Sequence, residues 1–560
     1  MQKNKQMQKN KRQNVKNVRS VIRQTVTGYA GLSLGIVLAV AGAIVTALLP
    51  PWILGSIVDT ITAGNAVPVA LVILYFAFTV LTGLTESLRE GLLTVFGQKI
   101  THALRSSMME KYTNLTAGEL TKQEPGTIVS RFVGDVDTVE NLFTSGIISM
   151  FADACKIISI LVVIWLKNRG LAIVLLILLL FLYWFTRTVQ KNMLKAQIEN
   201  RRAVGRASGH VPETLHNIRT VHTLGKERYM EQRYDEYIAE SYRAVDRTNF
   251  YDAIYSPVIL ILNAIVVAVV MLFSASGNAK VLTLFGMSAG TAVAVINYIS
   301  QIFTPVESLG MEIQTIQSAV AGVHRINEFY ALEELPERVR NLETPVVTEE
   351  ETPFVELQNV TFTYEDDSRK ILHHLSFKVY LGEQVTLSGR TGAGKSTVFK
   401  LLLGLYQPGE GKVLIQGRDA FQIPENEKRS LYGYVEQTFH RVPGTVKDQI
   451  TLYDDSFTME EVREAATIAG LDATIEQLEK GYDTICTSEI FSQGQWQLLS
   501  IARAAVAKPK LLLLDEITAN LDAQTEEEVL QALKRASEGR TVISISHRMN
   551  AETGRVIPIG

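Results

Sequence analysis

Cysteine is scarce: Cys155 and Cys486 are the only two in 560 residues. Two thiols cannot build a disulfide framework, so a small secreted scaffold is excluded. The chain also lacks a strong excess of either charge, with 55 Lys and Arg against 58 Asp and Glu. That balance removes any global electrostatic pull toward nucleic acid. What is present is mixed. Hydrophobic residues make up 47% and the mean hydropathy is +0.12, high for a soluble chain. Yet 20% of residues are charged, too many for a chain lying wholly in lipid. The composition reads as lipid-embedded and soluble parts joined together, and the length allows three or four domains at roughly 150 residues each.

The N-terminal residues 1–24 read as a basic cytoplasmic tail. Met1 to Arg23 contain the repeat MQKNK-Q-MQKNK, eight basic residues and no acidic one. Crossing a bilayer takes about 20 mostly apolar helical residues, because lipid offers the backbone no partners. Six stretches qualify: 30–54, 66–88, 142–166, 171–187, 256–273 and 289–308. The first is too long for the core of a signal peptide. Any one alone could be a buried soluble helix; six within 310 residues cannot all be. Three connections are short (55–65, 167–170, 274–288). The other two, 89–141 and 188–255, are long, polar and helix-forming, as expected of helices that run past the bilayer. The second, together with Arg187 just before it, holds a dozen Lys and Arg up to Arg247. The positive-inside rule therefore puts both long connections and both chain ends in the cytoplasm.

Residues 25–332 are thus expected to form a transmembrane domain and 333–353 a charged linker. From 354 to 560 the texture changes to short β-rich runs and Gly turns: FVELQNVTFTY, EQVTLSG, GKVLIQG, LLLLDE, TVISIS. Strands alternating with helical patterns predict an α/β domain with a largely parallel sheet.

Gly389, Arg390, Thr391, Gly392, Ala393, Gly394, Lys395 and Ser396 fit the P-loop pattern G-x4-GK[ST], with Thr397 next in line. The run follows an apolar strand and opens a helix, the context this motif requires. Glycines let backbone N–H groups wrap phosphates, and a helix N-terminus favours negative charge. Lys395 is expected to pair with the β- and γ-phosphates of ATP and Ser396 to ligate Mg²⁺. Four leucines, 511–514, then lead into Asp515 and Glu516. A buried strand of this kind delivers Asp515 beside the metal and Glu516 toward the attacking water.

P-loop, leucine strand and the run Phe491-Ser492-Gln493-Gly494-Gln495 before a helix together resemble the ATP-binding cassette transporters. With six spans upstream, nearly the whole chain from about residue 25 resembles an exporter-type half-transporter. The implied architecture is multi-domain: an all-α six-helix transmembrane domain followed by an α/β P-loop nucleotide-binding domain. The resemblance also implies roles for single residues. Tyr364 matches the aromatic that stacks on adenine, and Gln437 the glutamine that senses Mg²⁺ and couples to the membrane helices. Asp522 matches the D-loop aspartate and His547 the switch histidine at the γ-phosphate. Ser492, Gly494 and Gln495 belong to the signature run, which caps the nucleotide held by a second cassette. One chain cannot complete an ATP site, so a second half-transporter is implied, in a multi-pass protein of the plasma membrane.

Three departures from the family pattern stand out. The signature reads FSQGQ, with Gln493 in place of a glycine. The preceding YDTICTSEI is about two residues short and lacks a glycine-glutamate pair. The sequence ends at RVIPIG without the usual C-terminal helices. Intact P-loop, Asp515, Glu516, Gln437 and His547 beside an altered signature favour a heterodimer over a homodimer. The segments 116–123 and 208–217 are expected to couple the membrane helices to the cassette.

Cargo is less legible. Glu86 with Arg89, and Asp153 with Lys156, stand at i, i+3 within apolar stretches and can bridge on one helix face. Asn297, Tyr298 and Gln301 are polar candidates on the sixth stretch. The expected activity is ATP-driven export of a small molecule, lipid or peptide. An importer on the same fold, and a non-transporting membrane ATPase that regulates a partner, are the rival readings.

Overall fold

The computed structural model of the chain describes residues 16–274, 288–335, 352–364, 369–516, 521–545 and 554–560. The chain forms two compact units, Met1–Thr113 with Glu124–Leu332, and Asn114–Gln123 with Glu333–Gly560.

Long helices build the first unit: Ala30–Thr62, Val69–Thr113, Ile147–Lys167, Arg169–His216, Glu227–Ser274 and Ala289–Ala331. Each carries one of the six apolar stretches. Val69–Thr113 has 45 residues. At 1.5 Å per residue that is about 68 Å, over twice the hydrocarbon thickness, so the same helix continues into a polar connection. Among the described residues four helices are long and apolar enough to cross a membrane, while Pro257–Val269 and Ala289–Phe303 are shorter apolar stretches. Leu34, Ile73, Phe76, Leu166 and Leu180 are exposed on these helices. Such a surface suits hydrocarbon and not water.

Polar groups inside this unit bond mainly to backbone. Pro50 and Pro51 lie within Ala30–Thr62. Lacking an N–H, Pro50 leaves the carbonyl of Thr46 without its helical donor. The Thr82 hydroxyl of the next helix donates to that carbonyl at 3.0 Å, and the Thr46 and Thr85 hydroxyls meet at 3.0 Å. From the sixth long helix, Tyr298 donates to the Leu48 carbonyl at 2.5 Å. Between 125 and 167 the helix contains two π turns, Arg131–Asp135 and Leu142–Gly146. Asp135, buried at the end of the first, accepts a forked bond from Arg325, with Nε at 3.0 and 2.9 Å and Nη2 at 2.5 Å.

Part of the expected basic tail is ordered. Val18–Gly28 is a helix, capped by Asn17, that buries Val18, Val21 and Thr25. Asn327 accepts from the Val18 amide at 3.0 Å, and Lys16 pairs with Glu110 at 2.7 Å. The valines at i, i+3 supply an apolar stripe that net charge alone conceals.

The second unit contains two sheets. An antiparallel one has the order β2-β1-β4-β5, with β1 Val355–Phe362, β2 Leu372–Val379, β4 Glu410–Ile415 and β5 Arg418–Asp419. A five-stranded parallel one has the order β6-β7-β8-β3-β9, with β3 Gln384–Ser388, β6 Tyr432–Val435, β7 Leu511–Asp515, β8 Thr541–Ile545 and β9 Arg555–Pro558. Its inner strands β7, β8 and β3 are mostly buried, the four leucines of β7 above all, because both faces are covered. One core cluster joins the two sheets through Val355, Phe377, Val385, Phe399 and Leu513.

Candidate functional site

Register brings the motifs together. Leu387 of β3 stands beside Ile545 of β8, and Ile545 beside Asp515 of β7. Three parallel strands thus end at one level, the edge where open α/β sheets bind ligands. The P-loop leaves β3 and enters the helix Lys395–Leu402. A side chain at Gly389 would stand 2.3 Å from the Ile559 carbonyl oxygen. At Gly394, where φ is +101°, it would stand 2.6 Å from a Leu372 methyl. Both positions demand glycine. Ala393 packs against the core, while Arg390, Thr391, Gly392 and Ser396 are exposed.

Lys395 is buried, and its ammonium donates to the carbonyls of Gly389 at 2.7 Å and Arg390 at 3.1 Å. Burial pushes its pKa down; Glu516 and Asp515 push it back up, which places all three in one electrostatic neighbourhood. Burial raises the Asp515 pKa, and Glu516 adds to this, against the Tyr434 hydrogen bond and Lys395. The Tyr434 hydroxyl donates to Asp515 Oδ2 at 3.2 Å. Tyr434 is a site residue that motif reading misses, although its alternation with Tyr432 on β6 points both rings to one face. Glu516 has φ of +43°, a left-handed conformation costing a non-glycine residue about 1–2 kcal/mol.

Thr397 is buried in the first turn of the P-loop helix, 3.1 Å from the Tyr364 hydroxyl. The Tyr364 ring stands edge-on to Phe362 and Tyr406, with Lys400 5.4 Å from its centre. Gln437 follows β6 by two residues, and its side chain is exposed. β8 stops two residues before His547, which lies outside the described residues.

Ser492 caps the helix Gln493–Ala505. Its hydroxyl accepts from the Gln495 amide at 3.3 Å, while Gln495 Oε1 accepts from the Ser492 amide at 2.9 Å. Gly494 is buried, and a side chain there would stand 2.0 Å from Thr525 Cγ2. Gln493 is exposed. Asp522 caps the helix Ala523–Ser537, accepting from the Thr525 hydroxyl at 2.6 Å and amide at 3.1 Å. Those bonds hold its pKa below the usual range. Thr525 therefore links Asp522 to the signature helix, a contact no motif announces.

Ser396, Asp515 and Gln437 offer a hydroxyl, a carboxylate and an amide oxygen. This hard oxygen set suits Mg²⁺. Among the described residues no group of three or more His, Cys, Asp or Glu is placed to hold a metal.

Known proteins resemble both units of the chain. The ABC transporter transmembrane region matches residues 32–306 and the ABC transporter domain residues 372–519. The chain belongs to the ABC transporter family, with its membrane and nucleotide-binding parts fused. It is an ATP-binding, ATP-hydrolysing, multi-pass half-transporter of the export type that works as a dimer in a lipid bilayer. An uncharacterized ABC transporter ATP-binding protein of Bacillus subtilis is 29% identical over 96% of this chain and 89% of that protein. An ATM1-type heavy metal exporter of Novosphingobium aromaticivorans is 29% identical over 90% and 83%. A solved bacterial Atm1-family ABC exporter with ATP bound superposes with a TM-score of 0.76 at 26% identity, covering 97% and 94%.

Away from the ATP site, Thr116 caps the short helix Ala117–Lys122, and Leu115 bridges Glu334. The second expected coupling segment, 208–217, holds the end of the helix Arg169–His216, and the short helix Ile218–Thr223 follows it. Pro212 lies inside the longer helix, because one lost backbone bond does not end a helix of 48 residues. Glu86 and Arg89 form the expected pair at 2.6 Å. Asn297 bonds the Val293 carbonyl of its own helix at 3.0 Å. With Tyr298 bonded to Leu48, Gln301 is the candidate whose amide oxygen lacks a partner among the described residues.

Proposed function

We propose that this chain holds ATP with Mg²⁺ at the carboxyl edge of its parallel sheet and exports a small molecule, lipid or peptide from the cytoplasm across the plasma membrane. The observation behind this is the strand register that ends β3, β8 and β7 at one level and so sets the P-loop beside Asp515. Gly389 to Thr397 cradle the phosphates, with Lys395 on the β- and γ-phosphates and Tyr364 against adenine. Ser396, Asp515 and Gln437 hold Mg²⁺, whose charge offsets that of the phosphates when bound. Glu516 takes the proton of the attacking water, and His547 contacts the γ-phosphate. Ser492, Gly494, Gln495 and Asp522 serve nucleotide on the partner cassette. Both chain ends and the cassette are cytoplasmic. ATP-dependent uptake into inside-out vesicles, abolished by Lys395→Ala, tests the reading; uptake only into right-side-out vesicles would reverse the direction.

The partner is a different half-transporter. In a homodimer both ATP sites would use FSQGQ; in a heterodimer the partner supplies a better signature to Lys395 and Glu516. Expression of this chain alone is the check. A monodisperse pair of identical copies with full cargo-stimulated ATPase would defeat the heterodimer.

A further inference from the structure

The segment that follows Gln437 is held by side chains of the signature helix. Gln497, buried, donates from Nε2 to the Gln437 carbonyl at 2.7 Å. Arg503 donates from Nη1 to the His440 carbonyl at 3.0 Å and from Nε to the Gln449 carbonyl at 2.7 Å. Gln449, fully buried, closes the segment by bonding both the amide and the carbonyl of Val442, at 3.0 and 2.8 Å. Rings and guanidinium groups fill the space between. Arg503 lies 4.1 Å from the centre of the Phe439 ring, which stacks on Trp496 at 5.3 Å and 23°. Arg441 stands 5.5 Å from the Trp496 ring, and Phe491 meets it edge-on at 5.1 Å.

The order Arg503–Phe439–Trp496–Arg441 alternates between the two elements. Trp496 and Arg503 are seven residues apart on the helix and so share a face. Phe439 and Arg441 are two apart on the segment. A cation over each outer ring face and a stacked pair between them is the arrangement that ring quadrupoles favour. The bonds at Gln437 and His440 fix the backbone beneath the stack, and the Gln437 side chain stays exposed.

We infer that Trp496 and Arg503 are positioning residues for ATP hydrolysis, clamping the Gln437 segment to the helix that carries Ser492 and Gly494. The clamp joins two sites: Gln437 serves this chain's own nucleotide, and Ser492 and Gly494 serve the partner's. A displacement at one is delivered to the other. This rests on the role of Gln437 proposed above.

The test uses the full-length dimeric transporter in detergent or nanodiscs. Trp496→Ala should lower kcat by about ten- to a hundredfold, the scale set by ångström misplacement, with KM for ATP nearly unchanged. Trp496→Phe should restore most of the loss, because it keeps the stack. Phe439→Ala should match Trp496→Ala, and the double variant should be no worse than either single one. Trp496 is the only tryptophan in residues 354–560. With Trp52, Trp165, Trp184 and the partner chain's tryptophans replaced by Phe, ATP should change its emission, and Gln437→Ala should abolish that change. A wild-type kcat in Trp496→Ala, additive losses in the double variant, or a loss that tracks a fall in Tm without rescue by Phe would each overturn the clamp. Unchanged kcat in Gln437→Ala would instead remove the metal role of Gln437, while additivity would still judge the clamp.

Discussion

In the cassette, chemistry hangs on short elements with tightly specified ends. Asp515 is delivered by strand register, Ser492 and Asp522 by helix caps, and Gly394 by a backbone conformation that only glycine adopts readily. In the membrane half, long helices are tied by single hydroxyls to single carbonyls, such as Thr82 to Thr46 and Tyr298 to Leu48. A strand end or a cap cannot move without breaking several bonds. A lone hydroxyl can let go and rebond at modest cost. Catalysis needs the first kind of support, and helices that change partners in a transport cycle need the second.

The largest expected effect is catalytic. Glu516→Gln should lower ATP turnover by about 10²–10⁴-fold while nucleotide binding persists, measured by phosphate release and nucleotide titration. Near wild-type turnover would remove Glu516 as the base. Next comes the contact of Gly494 with Thr525. Gly494→Ala should destabilise the cassette by about 1–3 kcal/mol through overpacking. Adding Thr525→Ser deletes the offending methyl, keeps the hydroxyl for Asp522 and should recover most of the loss in Tm. No recovery would show that the methyl contact is not the cause.

The membrane half supplies the contrast. Asp135→Ala leaves Arg325 without its carboxylate, and since Arg325 is about half exposed the cost should be about 2 kcal/mol, read as a lower Tm in detergent. A loss as large as that of a fully buried pair would mean that Arg325 is more enclosed than its exposure implies. Smallest of all, Thr82→Val should cost about 0.6 kcal/mol, the average for such bonds between membrane helices. A loss several times larger would erase the contrast between the two halves.

The two halves also differ in what the sequence discloses. P-loop chemistry needs contiguous residues in a fixed order, so Gly389 to Ser396 are legible at once, and apolar runs of bilayer length mark the helices. Tyr434 reaches Asp515 across 81 residues and Thr525 meets Gly494 across a helix pair, so no local pattern marks either. The stack of Phe439 on Trp496 is hidden for the same reason. Pro212 lies inside a helix without ending it, because a helix anchored along its length tolerates one missing donor. The helix Val18–Gly28 sits in a basic run whose charge masks two well-spaced valines.

Pro50 has a consequence for how the protein is made. A segment entering hydrocarbon alone would carry the carbonyl of Thr46 without its donor where no water can reach it, which disfavours entry by itself. Its donor, Thr82, lies 36 residues later, on the next segment to leave the ribosome. The first two segments are therefore best released into lipid as a hairpin, each completing the other's hydrogen bonding at the moment of entry. Replacing Pro50 with Ala would let the first segment insert by itself, and Thr82 would lose its part in the order of assembly.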